Sequence, residues 1–190
     1  MKDRILWLLL IFAAVYILGN IGTGSLTTWD EAVYANISGT ILKTGDWVVM
    51  HDGGRPWFDK PPLYMWCTAI SYKIFGVSEF SVRLTSALFG VATVLLIYLF
   101  VKRLYDQRAA LLSALLLLAS PHYIHFSKMG MMDVMLTFFV TSTIFFFWLG
   151  QEKPIFLFWS GVTILFAYFT KGFAAISAPA IIFFYCLFSG

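Results

Sequence analysis

Eight ionisable residues stand out in a chain that is otherwise mostly hydrocarbon: Asp30, Glu31, Asp59, Lys60, Arg83, Lys128, Asp133 and Lys171. Charges in or beside a membrane are costly enough that each is a candidate for function. Asp30-Glu31 opens the stretch "DEAVYANIS". Acids in a first helical turn complement the dipole, but a desolvated carboxylate there could also act as general base toward a hydroxyl. Asp59-Lys60 precedes two prolines in "WFDKPPLYMW". The pair reads either as a surface ion pair worth about 0–1 kcal/mol, or as a cation at a helix start that suits an anionic lipid head group. Pro61 and Pro62 withhold two backbone donors from that site. Lys171 in "YFTKGFA" either snorkels to the interface or meets a phosphate. Asp133 in "MGMMDVMLTFF" sits where the helix dipole favours an acid. His122 and His125 could share a helix face, yet two histidines fall short of the three or four ligands of a zinc site. "NIS" at 36–38 matches a glycosylation acceptor only formally, because it falls inside an expected helix.

The elements that must position these residues follow from composition. The chain is 60% hydrophobic and 12% charged, against about 25% charged in soluble domains. It is read as an all-α membrane protein. The net charge of +3 is dispersed, which argues against a nucleic-acid surface. Cys67 and Cys186 make no disulfide framework, and the abundant aromatics suit lipid-facing surfaces and interface belts. Six apolar runs, at about 5–21, 80–101, 109–126, 131–150, 155–170 and 173–188, predict a multi-span helical bundle of about six transmembrane helices. Lys2 and Arg4 precede the first run as in a signal peptide, but no clear cleavage site follows, so it is expected to stay as an anchor. Lys102, Arg103, Arg108 and Lys153 in the short connections place those loops and the N-terminus in the cytoplasm. The long segment 22–79 then faces outward.

A loop of that length should carry structure of its own. Thr28-Trp29-Asp30-Glu31 has the Thr-x-x-Glu form of a capping box, and Val33, Ile37 and Ile41 follow at four-residue spacing before Gly45. A helix over about 29–44 is expected. A second, over about 61–75, opens on Pro61-Pro62 and ends before Gly76. Leu63, Trp66, Cys67, Ile70, Ile74 and Phe75 would share one face, and both helices are expected to lie along the membrane interface. "TGDWVVMHDGGRP" between them reads as a turn-rich connector.

Four stretches, "TTWDEAVYANISGTILKTGDWVV", "WFDKPPLYMWCTAISYKIFGVSEFSVRLTSALFG", "MGMMDVMLTFF" and "FTKGFAA", together resemble the N-terminal half of the membrane-embedded GT-C glycosyltransferases. The branch they resemble is the protein O-mannosyltransferase and aminoarabinose transferase group of bacteria and archaea. That resemblance implies an inverting transferase of the cytoplasmic (inner) membrane. It would take a sugar from a polyprenyl-phosphate-linked donor at the extracytoplasmic face and pass it to a lipid, glycan or protein acceptor. It assigns Asp30, with Glu31 and Asp133, to catalysis, and Lys60, Arg83 and Lys171 to the donor phosphate. Asp59 becomes a candidate ligand for a divalent metal cation. Val33 stands where family members often carry Arg, so one expected contact is absent or supplied elsewhere. The family's further spans and C-terminal domain are missing too, so the chain is expected to be a fragment or a minimal module. A different class of function is a non-catalytic polyprenyl-phosphate-binding or assembly module that needs a second chain. A small transporter lacks support, because no run shows the midplane charges or broken spans typical of such folds.

Overall fold

The computed structural model describes residues 2–27 and 29–189. Helix α1 (Lys2–Leu18) leads into a loop and then α2 (Asp30–Thr44). A small hairpin of β1 (His51–Asp52) and β2 (Arg55–Pro56) follows, then α3 (Leu63–Phe75). The remainder is helical: α4 (Glu79–Leu104), α5 (Gln107–Ala119), α6 (Pro121–Lys128), α7 (Met132–Gly150), α8 (Ile155–Lys171) and α9 (Ser177–Ser189).

Helix α4 is the central post. On one side it shares a core with α1 and α5, built from Leu9, Ala13, Ile17, Ala87, Val94, Ala110 and Ala114. Small residues line the closest approaches, as expected where lipid supplies no hydrophobic drive between helices. A Cβ on Gly90 would come within 2.9 Å of Ser127 Oγ, and Tyr123 Oη donates to the Gly90 carbonyl at 2.6 Å. On its other side α4 meets α3 and α7. The second core, of Tyr34, Ile37, Ile41, Tyr64, Met65, Met132 and Met135, joins α2, α3 and α7.

Three helical stretches are long and apolar enough to cross a membrane: Glu79–Leu104, Met132–Gly150 and Ile155–Phe188. The last has 34 residues without a helical gap, and as a straight rod would be about 51 Å long, well beyond a hydrocarbon core of about 30 Å. It is not straight. α8 runs antiparallel to α7, with Phe166 stacked on Phe139 at 5.3 Å and Phe156 on Phe146 at 6.1 Å. Tyr185 of α9 then lies 6.1 Å from Phe147, which requires the chain to turn back. The reversal falls in the 3₁₀ turn Gly172–Ile176, where Gly172 takes φ 54°, a value costly for residues with a Cβ. The two apolar runs expected at 155–170 and 173–188 therefore form two antiparallel helices, α8 and α9, which each pack on α7.

The run expected as one span at 109–126 is broken instead. α5 and α6 meet at 67°, because Ser120 is extended (ψ 113°) ahead of Pro121 and caps α6 by accepting from the Tyr123 N–H at 3.4 Å. α1 is apolar over Arg4–Leu18, shorter than the others.

The two helices of the 22–79 segment pack firmly on the bundle. α2 closes on Gly45 in a left-handed cap (φ 72°). Its partner α3 buries Tyr64, Met65, Thr68, Ala69, Ser71 and Tyr72, while Ile70, Ile74 and Phe75 are exposed. The apolar stripe read from the sequence is thus the outer face, and the mixed face of small and polar residues meets α4. The connector between them forms the hairpin, turned by Gly53 and Gly54, both at positive φ. Asn36 Nδ2 donates to Asp52 Oδ1 at 2.6 Å and fastens the hairpin to α2.

Candidate functional site

The acid doublet at the start of α2 is divided by burial: Asp30 is exposed, whereas Glu31 is 1% exposed. Glu31 Oε1 accepts from Arg83 Nε at 2.8 Å and from the Gly130 N–H at 2.8 Å. Its Oε2 accepts from the Thr27 N–H and Oγ1 at 2.7 and 2.9 Å. Burial alone pushes the Glu31 carboxyl up, but the bonds from Arg83, Gly130 and Thr27 outweigh it and hold the group below its ordinary value. It is a fixed anion. The Thr28 half of the expected capping box lies outside the described residues, and Glu31 is engaged by Thr27.

Arg83, in the first turns of α4, is buried with it. Beyond Glu31 it donates Nη1 to the carbonyls of Ile21 and Thr23 at 2.9 and 2.8 Å, and Nη2 to that of Ser25 at 3.0 Å. All its donors are spent on the protein. The sequence expectation put Glu31 with the catalytic acids and Arg83 at the donor phosphate. The structure places both beneath the surface, on each other, because a desolvated guanidinium needs a carboxylate and carbonyls around it.

What this clasp does is hold three separate segments in register. Through Thr27 and the 21–25 carbonyls it fixes the loop before α2, and through Gly130 it fixes the turn before α7. Ser86 strengthens the second join, donating to the Met131 carbonyl at 2.7 Å and accepting from its N–H at 3.0 Å. Asp30, one residue from Glu31, and Asp133, three from Gly130, are thereby brought to the same end of the bundle. Tyr34 lies between them. Burial raises its phenol first, and the nearby carboxylates of Asp30 and Asp133 raise it further. Asp133 in turn accepts from Lys171 Nζ at 2.5 Å, across the α7–α8 seam.

Gly130 and Ser86 were not singled out from sequence. The available signal was the glycine three residues before Asp133. A Cβ at Gly130 would stand 2.5 Å from Val82 Cγ1 and 3.1 Å from Glu31 Cγ. Gly130→Ala is therefore expected to lower stability by about 1–3 kcal/mol, as overpacking does. A lower melting temperature of the purified protein in detergent is the check.

Beside this cluster, Lys60 and Lys171 line a groove of about 640 Å³ together with Asp59, Pro61, Pro62 and Gly172. Its other walls are apolar, among them Trp57, Tyr168, Phe169 and Phe173. Cations at one part and hydrocarbon at another suit an amphiphile with an anionic head. Asp59 is exposed on the rim. Among the described residues no three His, Cys, Asp or Glu side chains are grouped to hold a metal. His122 and His125, on α6, are both exposed. They face separate cavities, His122 that of Asp133 and His125 that of Lys128.

Comparison with known proteins gives consistent likenesses. The family model described as dolichyl-phosphate-mannose-protein mannosyltransferase matches residues 59–190. An undecaprenyl phosphate-alpha-4-amino-4-deoxy-L-arabinose arabinosyl transferase from Pseudomonas savastanoi pv. phaseolicola is 33% identical over 92% of this chain and 34% of its own length. Its counterpart from Aeromonas salmonicida is 32% identical over 93% of this chain and 34% of its own. Crystal structures of ArnT from Cupriavidus metallidurans, apo and bound to undecaprenyl phosphate, superpose with a TM-score of 0.88 at 26% identity. They cover 96% of this chain and 36% and 35% of theirs. The chain thus spans about a third of the length of these relatives. With its apolar helices, it is a multi-pass membrane protein.

Proposed function

Because the chain belongs to the dolichyl-phosphate-mannose-protein mannosyltransferase family and shares the GT-C fold of ArnT, we propose that it is the donor-binding and catalytic part of a membrane glycosyltransferase. It takes a sugar from a polyprenyl-phosphate-linked donor at the extracytoplasmic face of a bacterial or archaeal inner membrane, and delivers it to a lipid, glycan or protein acceptor. The observation that carries this reading is the groove itself. Lys60 and Lys171 stand in it beside aromatic walls and next to the Asp30–Asp133 cluster.

In the proposed reaction the acceptor oxygen attacks the anomeric carbon from the face opposite the phosphate. The new C–O bond forms as the sugar–phosphate C–O bond breaks, the bonding pair leaves with the polyprenyl phosphate, and configuration inverts. Asp30, exposed and without an ion pair among the described residues, takes the acceptor proton. Lys60 and Lys171 steady the charge that grows on the departing phosphate. Asp133 holds the Lys171 ammonium in place, and the Glu31–Arg83 clasp sets the distance between α2 and α7.

The undecaprenyl-phosphate-linked aminoarabinose named for the relatives is the first donor to test. With the full-length protein in native membrane vesicles, Lys60→Ala is expected to weaken binding of undecaprenyl phosphate about 10- to 100-fold, the worth of one charge-assisted bond. Affinity unchanged in that variant would remove the groove from donor binding. Binding that responds to Lys60→Ala without any release of undecaprenyl phosphate from the donor would leave a lipid-phosphate-binding module instead of a transferase.

A further inference from the structure

Tyr34 is 1% exposed, and among the described residues its hydroxyl is one of the few buried side-chain oxygens with no hydrogen-bond partner of normal geometry. An orphaned buried hydroxyl is costly, so such groups usually have a purpose or a partner that arrives by a small motion. The ring cannot swing away to find one. It packs edge-on against Tyr64, with centroids 5.8 Å apart at 66°, and is enclosed by Ile37, Ile41, Met132 and Met135. Tyr64 is itself held by Ser86 at 3.0 Å.

The groups facing that hydroxyl are few. From α2 comes Asp30, one helical turn back on the same face. From α7 comes Asp133, already bound to Lys171 of α8, and from α3 the neutral Tyr64. Glu31 and Arg83 lie beneath, spent on each other. Among the described residues, Asp30 is the one carboxylate here that is both exposed and without an ion-pair partner, so its side chain has room to rotate toward Oη.

We propose that Tyr34 is a positioning residue for the transfer reaction, its buried phenol O–H donating to the Asp30 carboxylate and fixing that group with one oxygen left toward the acceptor. The phenol O–H can donate only to the ionised carboxylate, so its removal is expected to disfavour that form. This rests on the reading of Asp30 as general base, and the test separates the two.

Full-length protein in native membrane vesicles is labelled with a water-soluble carbodiimide, which modifies protonated carboxyls, across a pH series, and each site is read by peptide mass spectrometry. Tyr34→Phe removes a single oxygen and keeps the ring. The midpoint for Asp30 is expected to rise by about one pH unit, a tenfold change in its proton affinity, while that for Asp133 stays put. An unmoved Asp30 midpoint, or a shift at Asp133 instead, overturns the proposal. In the same vesicles, Tyr34→Phe should lower kcat for release of undecaprenyl phosphate about tenfold with KM for the donor unchanged, and the acid limb of kcat should move up with the Asp30 midpoint. Full turnover by Asp30→Asn would overturn the base role instead, whatever the labelling shows.

Discussion

Asp30→Asn in the full-length protein is expected to lower the rate of transfer by about 10²- to 10⁴-fold, the usual worth of a positioned general base. The substitution keeps shape and removes only the ability to accept a proton. Asp30 is exposed and forms no ion pair among the described residues, so folding should be unaffected, and the melting temperature is expected within about 1–2 °C of the parent, as for surface changes worth under 0.5 kcal/mol. Donor binding should also persist, because Lys60 and Lys171 are untouched. The decisive combination is lost turnover with retained undecaprenyl phosphate binding. Retained turnover would move the base role to another group, and joint loss of binding would mean that the carboxylate organises the groove.

The opposite pattern is expected at Arg83. Arg83→Met leaves Glu31 charged and buried, and breaking a buried pair from one side costs about 3–5 kcal/mol. Loss of stability should come first and loss of activity through it. The pH dependence gives a second handle. In the parent the folded Glu31 carboxyl lies below its unfolded value. Its contribution is therefore fully present above the unfolded pKa and fades as pH falls through the folded one. In Arg83→Met burial is no longer offset by the guanidinium, so the stranded carboxyl rises and can escape its penalty by taking up a proton. The gap in melting temperature between variant and parent should narrow between pH 7 and pH 4. The double variant Glu31→Gln/Arg83→Met should recover part of the loss. A constant gap would mean that Arg83 acts mainly through the 21–25 carbonyls.

Much of the fold was legible because its signals are local. Gly45, Gly76 and the Pro61-Pro62 pair mark the ends of α2 and α3, and the apolar runs mark the long helices. Lys60 and Lys171, 111 positions apart by their numbers, were each read as candidate phosphate contacts from their own neighbourhoods, and the structure sets them on one groove. The doublet Asp30-Glu31 was not divisible from sequence. Adjacent helical residues point about 100° apart, and which of two acids is buried depends on where α4 stands. The same holds for Arg83, whose place at the head of α4 looks the same whether its side chain faces a ligand or the protein. For α3 the shared apolar face was legible, but not what its opposite face would meet. There the apolar stripe seeks the hydrocarbon outside, and the small polar residues Thr68 and Ser71 turn inward.

The clasp around Arg83 also imposes an order of assembly. Glu31 and the carbonyls of residues 21–25 leave the ribosome well before their partner, which follows 52 residues after Glu31 and 62 after Ile21. The last donor, the Gly130 N–H, is 99 residues behind Glu31. Until α4 inserts, the first loop holds an acid with no cation and carbonyls with no donor, so α2 has little reason to settle against the bundle. Until the turn before α7 arrives, Asp133 and Lys171 have no fixed address relative to Asp30. The reactive end therefore cannot close before the turn ahead of α7 and Lys171 of α8 have both been made.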